Sequence, residues 1–309
     1  MKPRFRVIID NDFSGDPDDL YALVHHLLSP SVEIPFIVGS HLRPGDHFDP
    51  STSQADNAAR VATEWAGLLG SDVPVIAGSN TGLADPRTPV PSAASEAIIR
   101  EALRDDTELP LFIAVGGGMT ELASAVLTEP RIAQRLTAVW IGGEEHPGLG
   151  LPFPAAPQTE YNLAIDLPAA QAVFDSDVTL WQVPRDTYRQ ALISRAEIEV
   201  RVRSHGVVGR RLADAIDELA RSVEEHFPMG ETYCMGDQPL VLLTALHSAF
   251  ESDPSSSTYV TRPTPAIDER GRYVHRPDGR PMRVYTAIDN RLMFEDFYAK
   301  LALFAARSG

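Results

Sequence analysis

Val7 to Asp19 reads VIIDNDFSGDPDD. An apolar run, Phe5 to Ile9, meets a burst of acids, Asp10, Asp12, Asp16, Asp18 and Asp19. Then comes LYALVHHLL, apolar at helical spacing. The pattern predicts a strand, an acidic loop and a helix. A buried parallel strand that ends in acids sets them at the carboxyl edge of a sheet, where open α/β folds hold ligands. Five carboxylates this close repel one another, so either a cation gathers them or they spread into solvent. The plainer alternative is an Asp-rich turn with helix caps. An all-oxygen donor set points to Ca²⁺ or Mg²⁺ and away from softer metals.

Outward from that stretch, strands and helices alternate. After the helix Asp19 to Leu28, strands are predicted at Ile34 to Val38, Val73 to Ile76, Leu111 to Val115, Leu136 to Ile141, Val178 to Val183 and Val284 to Ile288. Helices are predicted at Ala55 to Leu69, Ala93 to Arg104, after Gly118, at Leu167 to Phe174, Ile198 to Phe227, Gln238 to Phe250 and Arg291 to Ala306. Ser255 to Arg283 has turn chemistry (DERGR, RPDGR) and reads as a small β-hairpin insertion. The alternation predicts an α/β fold, an open and largely parallel sheet flanked by helices on both faces. No composition shift marks a boundary, so one domain over 1–309 is expected. The loop Gly142 to Gln158, rich in Pro and Gly, is too long for a plain connector and is expected to cover something.

Composition narrows the function. The 309 residues are 43% hydrophobic, enough for a large core, and no apolar run reaches membrane-span length. A formal charge of −16 argues against nucleic acid or an anionic membrane as partner. MKPRFR passes straight into the first strand, which predicts no signal peptide. With Cys234 the only cysteine, no disulfide forms within the chain and a reducing, cytoplasmic setting is expected.

Three further strand ends or helix starts carry unusual residues. Gly116 to Glu121, GGGMTE, lets backbone approach a ligand and opens a helix, without a phosphate-binding GxGxxG or GK[ST]. In TEYNLAIDLPAA, Thr159 to Ala170, an extended backbone would point Glu160 and Asn162 the same way, suited to sugar hydroxyls; Asp166 reads as a helix cap. In CMGDQPL, Asp237 precedes an apolar helix and reads equally as a cap. His25 and His26 lie on the first helix as structural residues, whereas His41, His47 and His146 sit in loops that could reach a site. No HxxxH pair is present.

Together these segments resemble the nucleoside hydrolase family, of the inosine-uridine-preferring type. Its opening DxDxGxDDAxAL is matched by Asp10, Asp12, Asp18 and Asp19 with the LYAL that follows, in a loop two residues longer. Gly39-Ser40 stands at its GN, Met119-Thr120-Glu121 at its LTN and Gly142-Gly143 at its GG. Glu160-Tyr161-Asn162 with Asp166 and Pro168-Ala169-Ala170 stand at its EFN and DPEAA, and Gly236-Asp237 at its HDP. The resemblance implies a Ca²⁺ bound by Asp12, Asp19, Asp237 and the Thr120 carbonyl, Asp12 as general base, and ribose held by Glu160 and Asn162. It also implies that Asp18 binds ribose or tunes the base, with Met119 beside the substrate. The longer loop leaves Asp10 and Asp16 as alternatives to Asp12 in base, metal or substrate contacts. A small-molecule nucleoside or riboside substrate and a homodimer or homotetramer are implied as well. Gly236 replaces the family histidine that serves some members as acid for the leaving base. His226, Tyr233 or a loop histidine could substitute; otherwise aromatic stacking or an easier leaving group is implied.

Two alternatives remain. One is a riboside-binding protein of the same fold without turnover. The other is a haloacid-dehalogenase-like, Mg²⁺-dependent phosphatase, since a strand ending in DND suits that class. It needs a lysine in its site, and the only lysines, Lys2 and Lys300, stand at the two ends of the chain.

Overall fold

The computed structural model describes residues 1–149, 158–226, 228–248, 250 and 256–308. Its first seven strands are β1 (Phe5–Asn11), β2 (Val32–Glu33), β3 (Ile37–Gly39), β4 (Val75–Ala77), β5 (Leu111–Val115), β6 (Leu136–Ile141) and β7 (Thr179–Val183). Later come the short antiparallel pair β8 (Leu192–Ser194) and β9 (Thr232–Cys234), then β10 (Thr258–Pro263), the hairpin β11 (Ala266–Ile267) and β12 (Tyr273–Val274), and β13 (Pro281–Ala287). The helices are α1 (Asp18–Leu27), α2 (Gln54–Leu68), α3 (Ala93–Ala102), α4 (Thr120–Thr128), α5 (Tyr161–Ile165), α6 (Leu167–Asp175), α7 (Arg185–Tyr188), α8 (Arg195–Glu197), α9 (Gly206–Val223), α10 (Gln238–Ala245) and α11 (Asn290–Ser308).

The main sheet runs β10-β13-β7-β6-β5-β1-β3-β4, with β2 also pairing β1. Its pairings are parallel except at the edge, where β10 is antiparallel to β13. β1 is central because it is apolar on both faces. Val7 and Ile9 pack with α1, α9, α10 and α11, while Ile8, paired with Ile113, packs with α3, α4 and α6. Each of the three is at most 2% exposed, and burying such side chains contributes about 1.5–3 kcal/mol apiece. Gly39 lets α2 lie directly on β3, since a Cβ there would overlap the Ala59 nitrogen.

The expected open parallel sheet, two-sided helical cover and late β-hairpins are all present. Several boundaries differ. β1 runs on to Asn11, so Asp10 belongs to the strand and not to the loop. The predicted helix Ile198 to Phe227 is broken: α8 passes through a wide π-type turn over Ile198–Arg203, and α9 restarts at Gly206 with a φ of 69°. Continuous apolar periodicity conceals such a break, which only the glycine marks. The segment around Glu160 is helical and not extended: the Glu160 carboxylate accepts from the Leu163 amide and caps α5. Of the loop Gly142 to Gln158, expected to cover something, residues 150–157 lie outside the described residues.

Candidate active site

The sheet changes direction between β1 and β5: from β1 the chain builds outward to β3 and β4, and from β5 to β6 and β7. A crevice opens at such a point above the carboxyl ends of the strands. There a cavity of about 250 Å³ is lined by six carboxylates, Asp12, Asp16, Asp18, Asp19, Glu160 and Asp237. Asn162, Tyr161, Tyr188, His47, Phe48 and Leu42 complete most of its wall.

β1 delivers Asn11 and Asp12 to this edge. Asp18 and Asp19 form the first turn of α1, where the helix dipole favours negative charge. Asp237 arrives at the start of α10, but its side chain caps no backbone amide of that helix. Instead Asn11 Nδ2 donates to Asp237 Oδ2 at 2.5 Å, and the Asp237 amide donates to Asp18 Oδ2 at 3.1 Å. Two segments more than 200 residues apart are thus joined at the cavity floor. Gly116, which follows β5, is required there: a Cβ would overlap both Asp237 Oδ2 and the Asn11 amide oxygen.

On the opposite wall Glu160 accepts three hydrogen bonds, from Gly143 N at 2.6 Å, Leu163 N at 2.9 Å and Tyr188 OH at 2.9 Å. The Asn162 amide donates to the Gly116 and Ile141 carbonyls at 2.6 and 2.9 Å, which orients its oxygen. Tyr161 OH donates to Asp46 at 2.9 Å, under the Arg43 guanidinium 4.5 Å from its ring.

Burial first, and then mutual repulsion, holds Asp12, Asp18 and Asp19 far above their ordinary range. Asp12 is raised by burial, Asp237 and Asp16; Asp18 by burial, Asp16 and Asp237; Asp19 by burial, Asp12 and Asp237. Burial pushes Asp237 up to about 7 and raises Glu160. Asp16, Asp18 and Asp19 each offer an oxygen within 4.8 Å of the others, and Asp19 Oδ2 is buried with no hydrogen-bond donor. An oxygen-only cluster that meets carboxylates with carboxylates suits a hard divalent cation.

Among the sequence-derived candidates, Asp12, Asp16, Asp18, Asp19, Glu160, Asn162 and Asp237 come together around one cavity. The structure groups Asp16 most tightly with Asp18 and Asp19, and Tyr233 OH holds it at 2.7 Å. Asp10 does not line the cavity; it lies wholly buried within β1, raised by burial and by Glu121. Met119 and Thr120 are buried at the start of α4, also off the cavity wall. The Thr120 hydroxyl donates to Asp166 at 2.7 Å and meets His41 Nε2 at 2.9 Å. His47 reaches the cavity; His41 and His146 do not, and His146 pairs with Gln182 at 2.8 Å. His25 and His26 are buried structural residues, bonded to Gln238 and Asp296 and to Thr244. Asp166 caps α6 through the Ala169 amide. Sequence reading missed Asn11, Phe48, Tyr161 and Tyr188 as site residues. The EYN triplet gave a signal for Tyr161; the others carry none beyond lying near strand ends.

The profile of the inosine-uridine preferring nucleoside hydrolases matches residues 7–295. The pyrimidine-specific ribonucleoside hydrolase RihA of Salmonella dublin is 29% identical over 234 residues, 69% of each chain. The structure of a purine-preferring ribonucleoside hydrolase from Gardnerella vaginalis superposes with a TM-score of 0.77 at 21% identity, covering 97% of this chain and 99% of that one. A plant nucleoside hydrolase, PpNRh1, gives 0.74 at 19% identity over 97% and 99%. These structures share the fold, and the phosphatase alternative finds no support among them. With the profile spanning nearly the whole chain, the protein belongs to the inosine-uridine preferring nucleoside hydrolase family and is a hydrolase acting on N-glycosyl compounds.

Proposed function

We propose that the protein is a Ca²⁺-dependent ribonucleoside hydrolase, releasing ribose and a free base. The observation that carries this reading is the convergence of Asp12, Asp18 and Asp19 with Asp237 on one buried cavity facing Glu160 and Asn162. Asp12, Asp19 and Asp237 would hold the ion, with Asp16 and Asp18 close by; Thr120, off the cavity wall, drops out of the ligand set. Bound there, calcium supplies positive charge that keeps these acids ionised and lowers the pKa of a coordinated water.

The remaining roles belong to side chains. Asp12 takes the proton from the attacking water as general base. Water adds to C1′ as the C1′–N bond breaks, through an oxocarbenium-like transition state. Glu160 and Asn162 hold the ribose hydroxyls: the three donors on Glu160 fix its carboxylate, and the two carbonyls on Asn162 fix its amide, so neither reorganises when sugar binds. Phe48, Tyr161 and Tyr188 offer ring surface to the base. The lone Cys234 fits a cytoplasmic setting, and among the described residues no helix is long and apolar enough to cross a membrane. A homodimer or homotetramer goes with this reading, and the exposed apolar Val200, Val207 and Leu303 are available to such an interface.

Asp19→Ala and Asp237→Ala each remove a ligand. Calorimetric titration should show Ca²⁺ affinity down by about 100-fold or more, with hydrolysis of 4-nitrophenyl riboside abolished. Wild-type turnover in both variants would sink the assignment.

A further inference from the structure

Breaking the C1′–N bond of a neutral nucleoside leaves an electron pair on the base nitrogen, and protonating that base is the work of a general acid. The cavity is poorly equipped for it. Gly236 has no side chain, and a Cβ there would stand 3.3 Å from both Asp18 Oδ2 and Tyr188 Cδ2, so Tyr188 fills the room a side chain would need. Each nearby phenol already donates to an acid: Tyr188 to Glu160, Tyr161 to Asp46 and Tyr233 to Asp16. Burial and those acids hold all three well above the ordinary phenol range. The stretch 150–157, GLPFPAAP, contains no ionisable side chain. His47 is the one histidine among the described lining residues; it sits at the rim, 65% exposed, with Nδ1 3.2 Å from Asp46 Oδ1.

The charge of the cavity points the same way. Six carboxylates line it, and no lysine or arginine does among the described residues. Arg43 and Arg185 stand in the outer vestibule, Arg43 tied to Asp46 and Arg185 to Glu144 and Glu145. A divalent ion offsets two of the six charges, which leaves a negative chamber walled by aromatic rings, a setting that attracts a flat cation.

We propose that the preferred substrates are ribosides whose leaving group already carries the positive charge, with pyridinium ribosides as the simplest class. This rests on the hydrolase reading above. With such a substrate, the water oxygen bonds to C1′ and the C1′–N bond breaks. Its electron pair stays on the ring nitrogen and cancels the ring's charge. The water's proton passes to Asp12 and then to solvent, so each turnover yields ribose, a neutral pyridine and one proton, and no acid is needed.

The test compares nicotinamide riboside with uridine, inosine and 4-nitrophenyl riboside at saturating Ca²⁺. General acid assistance is worth about 100-fold or more, so kcat/KM for nicotinamide riboside should exceed that for uridine and inosine by about that factor. An indicator assay in weak buffer should record one proton per turnover. The neutral 4-nitrophenyl riboside, whose leaving group also needs no proton, reports separately on the hydrolytic machinery. If it is cleaved while nicotinamide riboside is no better than uridine, the inference falls and the hydrolase reading stands; if none of the four is cleaved, both fall. A second readout needs no turnover: in Asp12→Asn, calorimetry should show nicotinamide riboside binding about 10-fold tighter than uridine, and equal affinity overturns the proposal.

Discussion

At the scale of single residues, Asn11 shows how little a side chain need touch a ligand to matter. Its amide donates to Asp237 Oδ2 and its oxygen accepts the Asp12 amide at 3.1 Å, so one residue links two of the proposed ion ligands. Asn11→Ala leaves the buried Asp237 oxygen without its donor, a cost of about 1–3 kcal/mol. We expect the midpoint of urea unfolding to fall in the metal-free protein, and Ca²⁺ affinity to drop by about 10-fold as Asp237 loses its orientation. Unchanged affinity would show that Asp237 is held by other contacts. Asn11 was invisible to sequence reading because an asparagine between two aspartates looks like turn chemistry, and its partner lies 226 residues away. The acids themselves were legible, because carboxylates crowded at a strand end need a reason to be there. Tyr188 and Phe48 were not, since an aromatic in a four-residue helix or an irregular loop has no periodicity to betray which way it faces.

At the scale of elements, strands read well where both faces are buried. Leu111–Val115 and Leu136–Ile141 agree with expectation at both ends because continuous β-branched and aromatic runs bounded by Pro, Gly or Arg leave little choice. The stretch around Glu160 and Asn162 was misread as extended because Glu160 caps its own helix with the same carboxylate that faces the cavity, and capping by Glu is a weak sequence signal. The two glycines that let elements meet give a paired prediction. Gly39→Ala forces α2 away from β3 at the Ala59 contact, and overpacking of this kind costs about 1–3 kcal/mol or more. Gly116→Ala instead drives a methyl into Asp237 and Asn11. We expect Gly39→Ala to lower Tm while kcat of the folded fraction stays near wild type. Gly116→Ala should lose about 100-fold or more in kcat/KM, whatever its Tm. The reverse pattern would mean that the close approach at Gly116 serves packing and not the site.

Across the whole molecule, the buried acids set function against stability, and pH exposes the conflict. In the metal-free protein Asp237 is pushed up to about 7, chiefly by burial, against an unfolded carboxyl near about 3.9. A carboxyl raised on folding binds more protons in the folded state. Its stabilising contribution is therefore complete below about pH 4 and is lost as pH rises through about 7. Other groups titrate as well: His26, fully buried and lowered to about 3, disfavours folding as pH falls below its unfolded value near about 6.5. Comparing wild type with Asp237→Asn cancels such background. Without metal, the variant should be the more stable protein at pH 8, and the gap should shrink towards pH 5, each displaced pKa unit being worth about 1.4 kcal/mol. With Ca²⁺ at about 100 times its Kd, wild type gains about 2.7 kcal/mol by mass action while the variant, short of a ligand, gains far less. The order of Tm values at pH 8 should then reverse on adding Ca²⁺, as read by thermal denaturation with and without chelator. A wild type more stable than Asp237→Asn without metal at pH 8 would mean that the sheet edge tolerates the negative charge alone. The cation would then be no part of what holds residues 12, 19 and 237 together.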